Sequence, residues 1–269
     1  MNALCQMTGL SRAGFYRSRL PRQATPVVME IRDEMQKIAV ESPAYGYRRI
    51  TAELQQRGFD INHKRVLRMM REDNLLCVRR RSFVVTTDSR HNLPVYPNLA
   101  AQIVPTAINQ LWVADITYIR LRTEFVYLAV VLDAFSRRVI GWALGRTLEA
   151  ELAAAALRMP LVERRPQPGL VHHSDRGVQY ASQVYTELLK QHQVQISMSR
   201  KGNPYDNAAC ESFMKTLKCE EVYRTEYRDF REARSRIGEF LERVYNRKRL
   251  HSALGYVPPT EFEQNGGTQ

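Results

Sequence analysis

The stretch NPYDNAACESFMKTLK, residues 203–218, decides the fold because turn residues give way within it to a helical pattern. Its first five residues favour a turn, and either Asn203 or Asp206 is expected to cap the helix that follows. At about 100° per residue, one side of this helix is apolar. That side consists of Cys210, Phe213, Met214 and Leu217. The other side carries Glu211, Lys215 and Lys218.

The charged side of this helix has two interpretations. It is either a solvated face whose ion pair contributes ~0.2–0.5 kcal/mol, or a functional face that places a carboxylate in line with two ammonium groups. The helix alone does not decide between them, so the rest of the chain must.

The charge of the chain indicates a polyanionic partner. The 269 residues carry a formal net charge of +12, and 17 of the 40 basic residues but only 9 of the 28 acidic ones lie in residues 1–100. Nucleic acid is the expected partner, because even the longest apolar stretch, residues 125–135, is interrupted by Asp133. We therefore expect no membrane association.

The cysteines indicate a reducing compartment. Cys5, Cys77, Cys210 and Cys219 show no C-x-x-C spacing, which argues against a disulfide framework and against a zinc finger. No signal peptide is recognisable at Met1. A cytoplasmic, nucleoid-associated protein is expected.

Several helices are predicted in the first third of the chain. Residues 1–22 contain a partial helix-turn-helix, and residues 27–78 a helical DNA-binding domain. In the latter, Asn62 is expected to cap a strongly basic helix from His63 to Asp73. Its outward positions are Lys64, Arg65, Arg68 and Arg71. The alternative is a helical packing unit with a solvated basic face. A basic linker, 79–105, follows and includes Arg79, Arg80 and Arg81, which either contact phosphates or are solvated.

From residue 106 the pattern changes to an α/β type. Strands are predicted at 111–120, 125–135, 138–144, 170–174 and 194–199, with helices at 148–165 and 182–192. An antiparallel meander followed by alternating helices and strands predicts a mixed five-stranded sheet with helices on both faces, over residues 106–222. Residues 223–269 are predicted to be a helical extension, with one helix from Asp229 to Arg249 whose apolar side includes Val244.

Three carboxylates stand out in this pattern. Asp115 interrupts an apolar strand, Asp175 ends the fourth strand, and Glu211 lies on the helix after the fifth. If the first and fourth strands are neighbours, the two aspartates converge and the helix can bring Glu211 to them. Converging carboxylates favour hard divalent cations such as Mg²⁺ or Mn²⁺. His172 is expected to pack at the strand end and His173 to form hydrogen bonds beside the site, rather than to bind metal.

These residues occur in motifs that resemble a known family, the OrfB-type transposases of the IS-three group of insertion sequences, which are relatives of retroviral integrases. The resemblance covers nearly the whole chain. The motifs are YGYRRI (45–50), NHKRV (62–66), WVADITY (112–118), HSDRG (173–177), Ser199, Gly202, Asn203, Pro204, Asp206, Asn207, Glu211, Tyr245-Asn246, Arg249, HSALGY (251–256) and Pro259.

The resemblance implies a ribonuclease H-like core in which Asp115, Asp175 and Glu211 bind two Mg²⁺ or Mn²⁺ ions and cleave and join DNA by a copy-out, paste-in route. It also implies an OrfA partner or fusion and a homo-oligomer on DNA. The expected DNA contacts are Lys218, Lys215, Lys64, Arg65, Arg68, Arg71, Arg48, Arg49, Asn203 and Asn207. The chain departs from integrases in lacking a His/Cys zinc cluster near its start.

Three other functions fit parts of the sequence. A non-catalytic DNA-binding regulator does not need the three acids, all of which are present. A ribonuclease H-type nuclease would cleave without joining, and the basic helices favour sequence-specific DNA instead. A glycosidase with paired carboxylates leaves the net charge unexplained.

Overall fold

The computed structural model describes residues 26–76, 93–200 and 207–266. The chain divides into two units, residues Met1–Cys77 and Val78–Gln269. The partial helix-turn-helix predicted for residues 1–22, the arginines 79–81, Asn203 and Asp206 lie outside the described residues.

The described part of the first unit consists of helices α1 (Pro26–Glu41), α2 (Tyr47–Gln56) and α3 (His63–Glu72). Apolar residues at helical spacing form their common core. The buried side chains include Ile31, Met35, Ile38, Ile50, Leu54, Val66, Met69 and Met70. Val27, one residue after the start of α1, is 60% exposed and lies outside this core.

The cap predicted for the basic helix is confirmed. The Asn62 side chain accepts hydrogen bonds from the backbone N–H groups of Lys64 (2.8 Å) and Arg65 (3.3 Å). The turn before it uses Gly58 at φ +91°, a conformation that glycine adopts without strain. The α2–turn–α3 arrangement therefore follows from local sequence.

The second unit is built around a sheet. Its strands are β1 (Leu111–Arg120), β2 (Phe125–Asp133), β3 (Val139–Gly145), β4 (Val171–Ser174) and β5 (Gln195–Met198). Its helices are α4 (Ala150–Arg164), α5 (Val178–Ala181), α6 (Gln183–Gln191), α7 (Ala208–Leu217), α8 (Phe230–Glu239) and α9 (Pro259–Gln264). The predicted strands are confirmed, although β2 ends two residues early because the Asp133 carboxylate accepts the N–H groups of Phe135 and Ser136 and forms a turn.

The described strands form one sheet in the order β3-β2-β1-β4-β5. β1, β2 and β3 pair antiparallel, whereas β4 pairs parallel with both β1 and β5. The expected adjacency of the first and fourth strands is thus confirmed, with Val113 opposite His173. This mixed sheet is the predicted ribonuclease H-like arrangement.

Successive residues of β1 face opposite sides of the sheet, so helices cover both faces. Trp112 and Ala114 pack with α4 and α6, and Val113 packs with α7 and α8. Gly141 lets α4 approach β3 closely, since a Cβ there would lie 2.2 Å from the Ala156 carbonyl oxygen. The prediction of helices on both faces is confirmed.

The C-terminal residues complete this core instead of extending from it. Tyr227, Ile237, Phe240 and Leu241 share one apolar cluster with β1 and α7. The single helix predicted from 229 to 249 is wrong, because α8 ends at Glu239 and a π-helical segment, Phe240–Tyr245, follows. The wider turn changes the register, and Val244 is 39% exposed.

Candidate active site

The two predicted aspartates meet at one edge of the sheet. β1 and β4 run parallel with Val113 opposite His173, so Asp115, within β1, and Asp175, the residue after β4, each lie two residues beyond this pair. Carboxyl ends of adjacent parallel strands are where α/β sheets bind ligands. Both side chains line one cleft of about 380 Å³.

The Asp115 carboxylate is strongly affected by its surroundings. Its burial and the charges of Asp175 and Glu211 raise its pKa to about 7, against the opposing effect of Lys218. One carboxylate oxygen accepts the N–H of Ile116 at 2.8 Å. A buried acid whose ionisation is further opposed by neighbouring acids gains most from a bound cation.

The Asp175 side chain is held by the turn that follows β4. Its Oδ1 accepts the backbone N–H of Gly177 at 2.9 Å. A Cβ at position 177 would lie 3.0 Å from the same oxygen, a tight contact that glycine avoids. The HSDRG motif thereby fixes the carboxylate at the edge of the sheet.

The helix that carries Glu211, α7, begins at Ala208 and not within the preceding turn. Asn207 occupies the position before its first turn, but its side chain does not cap the helix as we expected of Asn203 or Asp206. It donates a hydrogen bond of 3.1 Å to the carbonyl of Ala114, the residue before Asp115. Asn207 is buried, and its side chain contacts the protein interior. The DNA contact expected of Asn207 stays a prediction.

The predicted faces of α7 are confirmed. Cys210, Phe213, Met214 and Leu217 are buried, whereas Glu211 and Lys215 are exposed. At Leu217 the helix passes into a π-helical segment, Lys218–Val222. Desolvation raises the pKa of Glu211.

Lys218 is half-buried beside the acids. Its Nζ lies 5.1 Å from the centre of the Tyr118 ring. Burial lowers its pKa, and the charge of Asp115 opposes that effect. The contact with Tyr118 was not predicted, because a helix face read from sequence does not reveal which strand residue lies beneath it.

The cleft itself combines acids with apolar side chains. Phe125, Leu148 and Val178 line it and are 52%, 39% and 45% exposed. Within residues 26–76, 93–200 and 207–266, no three His, Cys, Asp or Glu side chains are grouped closely enough to hold a metal ion. The three acids therefore act on one another electrostatically without forming a closed set of ligands.

The two histidines of β4 are buried, and the expected packing of His172 and hydrogen bonding of His173 are confirmed. His172 packs against Tyr185, whose hydroxyl lies 2.9 Å from His172 Nε2. His173 lies between two hydroxyls, with Nδ1 2.8 Å from Ser197 Oγ and Nε2 3.0 Å from Ser199 Oγ. His173 thus links β4 to the strand that leads towards α7.

The basic residues of the first unit form an exposed surface on α3, here called the basic face: Lys64, Arg65, Arg68 and Arg71. Arg68 lies 3.9 Å from Glu72. Arg48 and Arg49 lie on α2, each 5.6 Å from the ring centre of a tyrosine, Tyr47 and Tyr45 respectively. Stacked guanidinium groups and exposed cations are compatible with the predicted contacts to nucleic acid, which stay predictions.

Family models match most of the chain. An integrase core domain matches residues 105–204, a second integrase core domain matches residues 192–259, and an HTH-like domain matches residues 29–83. The matches cover β1 to β5, the acids and the basic face. Among the described helices, none has the length and apolar character needed to cross a membrane.

The chain is similar to known proteins over almost its full length. It is 41% identical over 268 residues to the insertion element IS600 uncharacterized 31 kDa protein of Shigella sonnei, covering 97% of each chain. It is 35% identical to transposase InsF for insertion sequence IS3A of Escherichia coli strain K12, covering 98% of this chain and 93% of the relative. A chain of the simian T-cell lymphotropic virus intasome matches with a TM-score of 0.48 and 14% identity, over 85% of this chain and 73% of that one. The predicted family is confirmed, and the chain belongs to the insertion-sequence transposases of the IS3 group.

Proposed function

We propose that this transposase cleaves DNA at the ends of an insertion sequence and joins the freed 3′-hydroxyl to a second phosphodiester, with Asp115, Asp175 and Glu211 as its catalytic residues. The observation that carries this proposal is that the charges of Asp175 and Glu211 both act on Asp115, whose carboxylate shares a cleft with that of Asp175. The basic face supplies a surface for the DNA backbone.

The donor set suits divalent metal ions. All three side chains offer hard carboxylate oxygens, and mutual repulsion at Asp115 is relieved when a cation is bound. Mg²⁺ or Mn²⁺, as a pair of ions held by the three acids, would activate the attacking oxygen and stabilise the leaving one. The Asp175–Gly177 bond keeps one ligand oriented, and Asn207 positions the helix that carries another.

The cations near the acids have a separate task in this proposal. Lys218, held over the Tyr118 ring, binds a DNA phosphate next to the scissile bond, and Lys215 lies exposed one turn earlier on α7. Lysine suits this role as a compact point charge. We place the active protein in a homo-oligomer on DNA, together with an OrfA product or as a fusion with it, and assign it the copy-out, paste-in route.

The decisive experiment compares wild-type protein with Asp175→Asn on DNA that carries the element ends, with Mn²⁺ and with or without OrfA. Wild-type protein should nick at the 3′ ends of the element, and Asp175→Asn should abolish nicking while DNA binding persists. Glu226→Gln is the control, because it neutralises a carboxylate that is 84% exposed and paired with Arg122 at 3.7 Å. Cleavage by Asp175→Asn at the wild-type rate would refute the assignment.

A further inference from the structure

A buried ion pair lies at the far end of the helix that carries Glu211. Arg249 Nε and Nη2 donate to the two carboxylate oxygens of Glu220, each at 2.9 Å. Their side chains are only 6% and 13% exposed. Two parallel hydrogen bonds between charged groups form the strongest and most directional contact that these side chains can make.

Further contacts surround this pair and involve the same segment of chain. The Arg249 guanidinium lies 5.7 Å from the centre of the Tyr245 ring, and Nη2 reaches Thr216 Oγ1 at 3.4 Å. The Tyr245 ring meets Phe213 edge-on at 4.9 Å. Residues 245–249 therefore contact α7 and the π-helical segment after it at three points along their length, namely Phe213, Thr216 and Glu220.

These contacts fall on the side of the helix away from Glu211. With about 100° per residue, Phe213 and Thr216 lie roughly 140–200° around the helix from Glu211, whereas Lys215 lies only about 40° from it. The C-terminal segment thus fixes the helix from behind while leaving its charged face open. Glu220 follows Lys218 by two residues within the same π-helical segment. Holding Glu220 in place therefore also holds the backbone at Lys218.

We propose that Glu220 and Arg249 are positioning residues for DNA cleavage, acting as a clamp that sets the register of Glu211 and Lys218. The activity part of this proposal rests on the function proposed above. Neither Glu220 nor Arg249 lines the cleft that contains Asp115 and Asp175. Because a misplacement of about 1 Å lowers rates by roughly 100-fold, a loosened clamp should affect turnover more than DNA affinity.

The test uses the full chain with three variants: Glu220→Gln, Arg249→Lys and Thr216→Val. Arg249→Lys keeps the positive charge but not the two-pronged geometry. Thr216→Val removes the weaker contact to Arg249, together with the bond from the Thr216 hydroxyl to the Ser212 carbonyl, and is the mild variant if the other two fail to fold. Amide hydrogen exchange is measured without DNA, and cleavage rate is measured against DNA concentration at a temperature where each protein is folded.

The matched control is a second buried ion pair in the same unit. Arg164 Nη2 lies 2.7 Å from Glu263 Oε1, and their side chains are 10% and 9% exposed. This pair joins α4 to α9 instead of contacting α7. Glu263→Gln should therefore lower the melting temperature as Glu220→Gln does, without changing turnover in the folded protein.

The clamp predicts faster exchange across residues 208–222 in Glu220→Gln and Arg249→Lys, with β1 unchanged. It also predicts a kcat lower by roughly 10- to 100-fold with little change in the DNA concentration at half-maximal rate, and a smaller change of the same kind in Thr216→Val. Unchanged exchange, or a kcat loss no larger than that of Glu263→Gln, overturns the clamp. If wild-type protein does not cleave, the proposed function fails, and the exchange measurement alone decides whether the clamp exists.

Discussion

Asn207 donates a side-chain hydrogen bond of 3.1 Å to the carbonyl of Ala114. Asn207 is the residue before α7, and Ala114 is the residue before Asp115. The bond therefore ties the start of the Glu211 helix to the strand position next to the buried acid. Since the contact is buried, water does not compete for it, and it sets how the helix lies relative to β1.

Replacing Asn207 by alanine should reduce catalysis more than stability. The Ala114 carbonyl loses its partner, which costs ~1–3 kcal/mol, and the displaced helix should lower kcat on the order of 100-fold. DNA affinity and its salt dependence should stay at the wild-type level. The measurement is cleavage rate against DNA concentration at two salt concentrations.

Ser136→Ala is the control for this prediction. Its buried hydroxyl donates a hydrogen bond of 2.7 Å to Glu263 Oε1 and so joins the turn between β2 and β3 to α9. It should destabilise the fold without a matching loss of kcat. Weaker DNA binding by Asn207→Ala, with kcat at the wild-type level, would mean that Asn207 contacts DNA, as the sequence had suggested.

The strand pattern could be predicted from sequence because each strand is apolar and bounded by turn residues. The convergence of Asp115 and Asp175 followed from one topological assumption, that β1 and β4 are neighbours, and the register confirms it. Local spacing also located the Asn62 cap and the two faces of α7. These features depend on short-range periodicity, which a sequence displays directly.

The contacts that orient the site could not be predicted in this way. The Asn207 bond spans 93 residues and the Glu220–Arg249 pair spans 29, so no local pattern encodes either. The change to a π-helical turn at Lys218 was also missed, because helical spacing assumes a constant rise and twist. Motif resemblance located both residues, but it implied a DNA contact for Asn207 and no role for Arg249.

The basic face makes a prediction about salt. Arg65→Ala combined with Arg68→Ala should weaken binding to element ends and reduce the salt slope by ~1 for each lost phosphate contact. Lys37→Ala is the control, because it removes a charge that already pairs with Asp33 and Glu34 at 2.7 Å each. Fluorescence anisotropy at several salt concentrations measures both. An equal salt slope in wild-type protein and in the Arg65/Arg68 variant would show that these two arginines do not contact DNA phosphates.

His172 makes a prediction about acid. Burial and the neighbouring His173 lower its pKa to about 3, from an ordinary value of 6.5. A histidine that stays neutral when folded but takes up a proton when unfolded stabilises the fold above pH 6.5. That stabilisation is lost progressively as the pH falls towards 3.

His172→Gln keeps an acceptor for the Tyr185 hydroxyl and removes the titration. From pH 7 to pH 5, wild-type protein should lose up to ~2 kcal/mol more unfolding free energy than the variant. Urea unfolding of both proteins at the two pH values measures the difference. Equal losses would show that His172 becomes protonated in the folded state.

The charged face of α7 makes the last prediction, because Glu211 and Lys218 should do different work although they share it. Glu211→Gln removes a charge that acts on Asp115, and cleavage should be lost at every DNA concentration. Lys218→Ala removes the cation held 5.1 Å from the Tyr118 ring centre, and much of its loss should return at high DNA or low salt. A solvated ion pair predicts instead that neither change costs more than ~0.5 kcal/mol of stability. The deciding measurement is cleavage rate against DNA concentration for both variants, with Lys190→Ala, the loss of an exposed lysine on α6, as the control. Recovery of cleavage by Glu211→Gln at saturating DNA would refute the catalytic role of Glu211. Wild-type cleavage by Lys218→Ala at moderate salt would refute the DNA-binding role of Lys218.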